Sequence, residues 1–332
     1  MSKRRQKSVI VSVVALVIVA AILVSGVFGA QILASIFNVS HAQSPVVAKT
    51  QSGLVIGDPL AGKSGTWTFW GDAIAKNTTY AHFENSTGLF LGVKSASSGQ
   101  WAGYYAAEPT GKANVYHATL TLPYSKIKSG SFNTGLFVQT TVHPINYIAC
   151  GAGVNIQGYY WEVVIGSGNP LVANSFQPLY YKWMGNQSLS QDCTIITNGT
   201  NLLTVYLGNT EVYSNNQMNL QIPPPFTAYL AVETTSSQML YASYTNFYAT
   251  LGNTLIVQNA PAGGSVAILD SSNKTIQTAA VNPNSAAVFQ FAANKPLPSG
   301  FLRVYDSNGT LYASTTQITT FWGGDVYSVR TG

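Results

Sequence analysis

After residue 65 the chain is a series of short apolar runs in which large side chains alternate with polar ones, and turn residues separate the runs. Alternation with a period of two is typical of β-strands that bury one face. The segment TVYLGNTEVYS predicts a hairpin, because two alternating runs meet at Gly208 and Asn209. No helical stripe of useful length follows residue 40. The pattern therefore predicts an all-β body arranged as a sandwich or jelly roll.

The first 42 residues differ from this body. A basic tip over residues 3–7 precedes residues 9–37, which contain no charged side chain. About 20 apolar residues cross a bilayer core, whereas the apolar region of an ordinary signal peptide has about 7 to 15. Residues 1–42 are therefore expected to be a cytoplasmic tip with a transmembrane helix, or a signal removed after Ala42 in SHAQ. In both cases the rest of the chain is exported, because basic flanks stay in the cytoplasm.

The charge distribution argues against nucleic acid as a partner. The formal net charge is +5, but four of the sixteen basic residues lie in the N-terminal tip. The remaining twelve face eleven acids, and Lys126 with Lys128 form the one close basic pair beyond the tip. No basic stripe is left to follow a phosphate backbone. Charged residues make up only 8% of the sequence, and this scarcity resembles exterior proteins of acidophilic archaea.

Two further features agree with export. Cys150 and Cys193 form an even pair that predicts one disulfide bond, with two buried thiols as the alternative. The sequence also contains seven acceptor sites for N-glycosylation, several of which chance alone would supply. These sites are Asn38, Asn77, Asn85, Asn186, Asn198, Asn273 and Asn308.

Composition divides the exported part into three segments. Residues 43–64 are rich in Pro, Gly, Ser and Lys and predict a stalk, whereas residues 65–251 carry most of the strand-like runs. Residues 252–332 contain two similar hairpin patterns, VAILDSSNKTI and LRVYDSNGTLY, each with an Asp-Ser turn. This last segment resembles the small immunoglobulin-like and carboxypeptidase-regulatory-like β modules that follow catalytic or adhesive domains in secreted proteins.

Residues 65–251 contain, in this order, the motifs TGLFVQT, GYYWEVVIGSG, NLLTVYLGNTEVYS and AYLAVETTSSQMLYASYTNFYATL. With these motifs the segment is similar to the concanavalin A-like lectin/glucanase superfamily, including laminin-G-like domains. The resemblance implies a jelly-roll β-sandwich whose concave sheet holds sugars. It also makes calcium a conceivable ligand, at Asp72 and Asp192; no other cofactor is expected. The four histidines have no spacing suited to a metal site. They are His41, His82, His117 and His143.

An acid in the middle of the run YYWEVVI calls for an explanation. Strand alternation places Trp161 on the core face and Glu162 on the opposite, outer face. The run TAYLAVET places Glu233 on an outer face by the same rule. Two strands therefore present a glutamate, each with a tyrosine nearby, on what is expected to be one outer surface. A solvated outer strand residue is the simple alternative for each glutamate.

These features favour an exported, membrane-anchored surface protein. Its expected function is recognition of glycan or of another component of the cell envelope. Aromatic faces stack on sugar rings, while acids and amides fix hydroxyl groups. The candidate carbohydrate-binding residues are Trp70, Trp101, Tyr104, Tyr160, Trp183 and Tyr229. For any one tryptophan, a place in the core is the alternative.

Two other functions stay open. The order of WEVVI and AVET resembles jelly-roll cellulases and xylanases, and the resemblance implies a retaining glycoside hydrolase with Glu162 as nucleophile and Glu233 as acid/base. The Gly-Ser-Gly that ends the first run departs from those families. A structural envelope or pilin-like filament subunit is the third possibility, with a leader cut next to Lys7.

Overall fold

The computed structural model describes six stretches of the chain, and every regular element in them is a β-strand. The stretches are residues 44–62, 66–73, 77–140, 146–167, 176–291 and 297–330. None of them contains a helix that is long and apolar enough to cross a membrane. The apolar run at residues 9–37, the processing site after Ala42 and the acceptor Asn38 lie outside the described residues. The expected all-β character is confirmed for the described part.

Two antiparallel sheets pack face to face as a jelly-roll β-sandwich, with strands numbered in chain order. The seven-stranded sheet contains, from edge to edge, β11 (Phe176–Gly185), β10 (Gly158–Ser167), β9 (Asn146–Asn155), β8 (Ser131–Thr140), β15 (Phe226–Thr234), β6 (Ala102–Gly111) and β3 (Thr68–Ala73). The eight-stranded sheet contains β14 (Thr210–Asn215), β13 (Leu203–Leu207), β12 (Leu189–Thr197), β7 (Val115–Leu122), β16 (Leu240–Thr250), β5 (Gly88–Lys94) and β4 (Thr79–Asn85), with β2 (Leu54–Asp58) beside β16. The predicted hairpin is the β13–β14 pair.

The inner faces of the two sheets bury one hydrophobic core. In β10 the side chains of Tyr159, Trp161 and Val163 belong to this core, as alternation predicts. Cys150 on β9 and Cys193 on β12 also belong to it and form a disulfide bond, with their Cα atoms 6.0 Å apart. The predicted bond is therefore confirmed, and it joins one sheet to the other through the core.

A third sheet of nine strands has a core of its own. It contains β19 (Thr275–Ala280), β18 (Ser265–Asp270), β21 (Leu297–Tyr305), β22 (Leu311–Ser314), β1 (Val46–Gln51), β24 (Val326–Arg330), β17 (Thr254–Gln258) and β20 (Ala286–Gln290), with β23 (Thr319–Phe321) beside β21. Large apolar side chains such as Leu255, Phe289 and Phe321 are fully buried in this core.

The segment expected to be a stalk contains strands β1 and β2. β1 lies between β22 and β24, and its Val47 is buried in the core of the nine-stranded sheet. The buried carboxylate of Asp325 fixes the turn that follows β1: it accepts hydrogen bonds from Gly53 N at 2.7 Å and Trp322 N at 2.9 Å, and it pairs with Lys49 Nζ at 2.8 Å. The domain boundaries at residues 64 and 251 stay predictions.

Candidate functional site

The outer face of the seven-stranded sheet carries a groove with a volume of about 300 Å³. Strand register aligns residues that line this groove, and residues next to them, in two neighbouring rows across the sheet. The first row consists of Glu162, Gly151, Gly135, Ala231 and Tyr105, from β10 to β6. The second row consists of Tyr160, Gly153, Asn133, Glu233 and Gly103 on the same strands. Both predicted glutamates line this one groove, called the sheet groove below.

Glycines leave room for two tyrosine rings next to the sheet groove, on the same face of the sheet. A Cβ atom at Gly153 would lie 2.4 Å from the Tyr160 hydroxyl oxygen, and one at Gly103 would lie 2.4 Å from the Tyr105 hydroxyl oxygen. The Tyr160 ring on β10 therefore lies over the neighbouring strand β9, whereas the Tyr105 ring lies over Gly103 of its own strand β6. A larger residue at either glycine would displace the ring.

The two hydroxyl groups orient the polar groups between them. Tyr160 donates a hydrogen bond to Asn133 Oδ1 at 2.6 Å, and Tyr105 donates one to Glu233 Oε1 at 3.0 Å. The Asn133 amide and the Glu233 carboxylate are next to each other in the second row. The floor thus offers an amide and a carboxylate, side by side and held by tyrosines, for binding hydroxyl groups.

Glu162 keeps its proton to unusually high pH. Burial at the floor of the groove, and then the charge of Glu233, raise the pKa of Glu162 to about 7. Below that pH Glu162 is a neutral carboxylic acid that can donate a hydrogen bond. The same two glutamates, after burial, raise the pKa of Tyr147, which also lines the groove.

The backbones that carry the two carboxyl groups are far apart in the sheet. β9 and β8 lie between β10 and β15, and Glu233 is two residues along β15 from Ala231, the residue in line with Glu162. Three strand spacings of about 4.8 Å and two residue rises of about 3.3 Å put the Glu162 and Glu233 backbones about 16 Å apart. Tyr105, which binds Glu233, is on β6, the neighbour of β15 that lies away from β10. Glu233 is therefore held toward the side of the groove opposite to Glu162.

Aromatic clusters lie on either side of the sheet groove. On β10 and β11, Tyr160 stacks on Tyr181 with ring centroids 4.8 Å apart, and Trp183 contacts both rings edge-on at 5.4 Å. On β3 and β6, Trp70 stacks on Tyr105 at 4.4 Å. Trp70 and Trp183 are 43% and 44% exposed, so an aromatic face is open to solvent on each side.

Five of the six predicted sugar-binding residues share this outer face. Trp101 lines the groove, Tyr229 is half-buried and contacts the Tyr105 ring edge-on, and Trp70, Tyr160 and Trp183 belong to the clusters described above. The sixth, Tyr104, belongs instead to the core between the sheets. Its hydroxyl group bonds His82 Nδ1 at 2.6 Å. A place on the binding face is therefore wrong for Tyr104.

Sequence reasoning missed four residues of the site: Tyr105, Asn133, Tyr147 and Tyr181. Tyr181 lies in YYKW, where alternation from Trp183 would have placed it on the same face. Asn133 lies directly opposite Glu233 in the register, which depends on the pairing of distant strands. No local signal points to it.

The remaining candidates lie away from the groove. The six described glycosylation acceptors are all exposed, and their modification stays a prediction. They are Asn77, Asn85, Asn186, Asn198, Asn273 and Asn308. Asp192 is on the eight-stranded sheet, where it accepts a hydrogen bond from Thr119 at 2.7 Å, whereas the side chain of Asp72 is outside the described part. Within the described stretches no three His, Cys, Asp or Glu side chains form a group able to hold a metal ion.

No family model and no curated protein matches this sequence. Among solved structures, a glycoside hydrolase family 16 endo-glucanase from Bacteroides ovatus aligns at 10% identity over 59% of this chain and 100% of its own, with a TM-score of 0.40. The pseudo β-1,3-glucanase of Mycobacterium tuberculosis aligns at 10% identity over 60% and 99%, with a TM-score of 0.40. The carbohydrate recognition domain of Emp46p aligns at 8% identity over 59% and 95%, also at 0.40. These TM-scores and identities are too low to support an inference, so the function has to be inferred from the geometry of the groove itself.

Proposed function

We propose that the protein is an exported, membrane-anchored surface protein of the concanavalin A-like type whose sheet groove binds a glycan. The observation that supports this most is the arrangement of the groove: exposed aromatic faces at Trp70 and Trp183, with the Glu162 acid, the Asn133 amide and the Glu233 carboxylate between them. Sugar rings offer apolar faces for stacking and hydroxyl groups for hydrogen bonds. The C-terminal sheet belongs, in this proposal, to an immunoglobulin-like or carboxypeptidase-regulatory-like module.

The charge of the groove narrows the glycan class to neutral or amino sugars. Glu162 and Glu233 line the groove, and none of its described lining residues is Lys or Arg. A uronic acid or sulfate group would have to lose its hydration beside the Glu233 carboxylate with no cation to compensate, and like charges in contact cost several kcal/mol.

A glycan array with the full-length protein, followed by calorimetric titration of the best neutral glycan, tests the proposal. Trp183→Ala and Glu233→Gln are the test variants, and Phe83→Ala is the matched control because Phe83 is a 48% exposed aromatic residue on the other sheet. Loss of an aromatic anchor from a binding site typically costs 1 kcal/mol or more, so we expect affinity to fall about fivefold or more in each test variant and not in the control. Equal affinity in all three variants, or a preference for anionic glycans, would contradict the proposal.

Glycoside hydrolysis is a second candidate, supported by the unequal environments of the two glutamates. An acid that keeps its proton to a pH of about 7 and shares a groove with a second carboxyl group is the pairing expected of a general acid and its partner. A retaining mechanism needs the carboxyl groups about 5 to 5.5 Å apart, whereas Tyr105 holds Glu233 away from β10. The test is whether the unaltered protein releases reducing ends from a bound neutral glucan. Release that is abolished in both Glu162→Gln and Glu233→Gln would establish this candidate. Binding without any release would leave recognition as the function.

A further inference from the structure

A second cavity lies outside the eight-stranded sheet, away from the sheet groove. Its volume is about 480 Å³. Its floor is formed by β7, β12 and β16, and its walls by β2 with the residues that follow it and by Trp322, which precedes β24. The lining residues with polar or aromatic side chains that matter here are Asp58, His117, Thr119, Asp192, Asn246, Tyr248 and Trp322. We call this space the junction cavity.

The donors of the junction cavity are largely committed to partners within the protein. Thr119 Oγ1 donates to Asp192 Oδ1 at 2.7 Å, and Asn246 Nδ2 donates to Thr119 Oγ1 at 3.4 Å. His117 is buried in the floor, where Nδ1 bonds Thr194 Oγ1 at 2.9 Å. The Thr119 and Asn246 donors are thus engaged and the Asp192 carboxylate keeps acceptor capacity; the Tyr248 hydroxyl group is the exception among the donors.

The electrostatics of the junction cavity favour a positive guest. Asp58 and Asp192 both line it, and its described lining includes neither Lys nor Arg. The Asp58 carboxylate is already satisfied, because it accepts hydrogen bonds from Leu60 N at 2.8 Å and Trp67 Nε1 at 2.9 Å. His117 lies beside Asp192, with Nε2 3.9 Å from Oδ1, which is too far for a good hydrogen bond.

Aromatic rings supply the apolar part of the site. Tyr248 is 6% exposed, stacks on His117 with ring centroids 4.5 Å apart and meets the Trp322 ring at 5.2 Å. The buried Tyr248 hydroxyl group has no hydrogen-bond partner among the described residues, although a buried polar group without a partner is costly. A guest that accepts or supplies one hydrogen bond here would remove this cost.

We propose that the junction cavity binds a small organic cation with an apolar body, such as an alkyl- or arylammonium compound. Asp192 provides the counter-charge, and Trp322 with Tyr248 provides the aromatic surface against which an ammonium group is attracted. A sugar fits less well, because the Thr119 and Asn246 side chains that would donate to its hydroxyl groups are occupied. An anion fits less well too, because no Lys or Arg is among the described residues that line the cavity.

Binding of benzylammonium, the form that benzylamine takes at pH 8, to the full-length protein tests the proposal by calorimetric titration; histidine is ordinarily neutral at this pH. Benzyl alcohol serves as the uncharged probe of similar shape. We expect the cation to bind at least fivefold more tightly than the alcohol, and Asp192→Asn to remove that preference while the alcohol binds as before. Trp322→Leu should weaken both probes, whereas Trp183→Ala, in the sheet groove, should change neither.

Two results would overturn the proposal: equal binding of the two probes to the unaltered protein, or an unchanged preference in Asp192→Asn. Because a substitution at the cavity could perturb folding, thermal unfolding of each variant is measured alongside. If Asp192→Asn fails to fold, Asp192→Glu replaces it; that variant keeps the charge and should retain the preference for the cation. Loss of the preference in a folded Asp192→Glu protein would contradict the proposed counter-charge.

Discussion

Glu162 should make the stability of the protein fall as the pH rises, and Glu162→Gln should remove that dependence. Burial and the nearby Glu233 raise the pKa of Glu162 from 4.5 to about 7. The folded protein therefore holds this proton more tightly than the unfolded chain does. The stabilisation from this proton is complete below a pH of about 4.5 and is lost as the pH rises through about 7.

The size of the effect follows from the same two values. One pKa unit corresponds to about 1.4 kcal/mol, so ionising Glu162 in the folded state costs about 3 kcal/mol. Since glutamine has nearly the same shape and no charge, Glu162→Gln should match the unaltered protein within about 1 kcal/mol at pH 4 and exceed its stability by up to about 3 kcal/mol at pH 8. Glu233→Gln should lower the pKa of Glu162, because it removes one of the two causes of the shift.

Urea unfolding followed by tryptophan fluorescence at several pH values between 4 and 9 measures this difference. Glu211→Gln is the matched control, because Glu211 is an exposed strand residue that accepts a hydrogen bond from Tyr206 at 2.9 Å on the other sheet. The control should follow the pH profile of the unaltered protein. Parallel profiles for the unaltered protein and Glu162→Gln would refute the buried, proton-holding role of Glu162.

Three further predictions concern stability. Replacing Cys150 and Cys193, which are 43 residues apart in sequence, by serine should lower the free energy of unfolding by about 4 kcal/mol, measured by urea titration with and without reductant. Gly153→Ala should cost about 1 to 3 kcal/mol and also weaken glycan binding, since the new Cβ would lie 2.4 Å from the Tyr160 hydroxyl oxygen; thermal unfolding and titration check the two effects. Asp325→Asn should lower the unfolding free energy by about 3 kcal/mol, because it breaks a buried ion pair; a change below about 0.5 kcal/mol in the same urea assay would contradict this.

The outward position of Glu162 could be predicted from sequence because its neighbours leave no doubt about the core face. Trp161 and Val163 are large and apolar on either side of it, and burying them forces the glutamate outward. The same rule failed at Tyr104 and Tyr105. In the run AGYYAAE the one acid, Glu108, shares the face of Tyr104 and is itself buried, so the polar position points to the wrong tyrosine as the outward one.

Long-range pairing explains most of what the sequence did not predict. The Val46–Arg330 pairing that places β1 in the C-terminal sheet joins residues at opposite ends of the described chain, and no local pattern encodes such a contact. The convergence of Glu162 and Glu233 on one groove likewise depends on β8 and β9 lying between their strands. Periodicity predicts the face of each strand, whereas the order of strands in a sheet depends on tertiary packing.

The Cys150–Cys193 bond has a consequence on the side of the sheet opposite to it. Cys150 lies between Ala149 and Gly151, both of which line the sheet groove, so the strand beneath a ligand is tethered covalently to the sheet behind it. Such a tether keeps the surface in its binding shape before a ligand arrives and reduces the entropy lost on association. A reducing environment would therefore weaken ligand binding even though neither sulfur atom contacts the ligand.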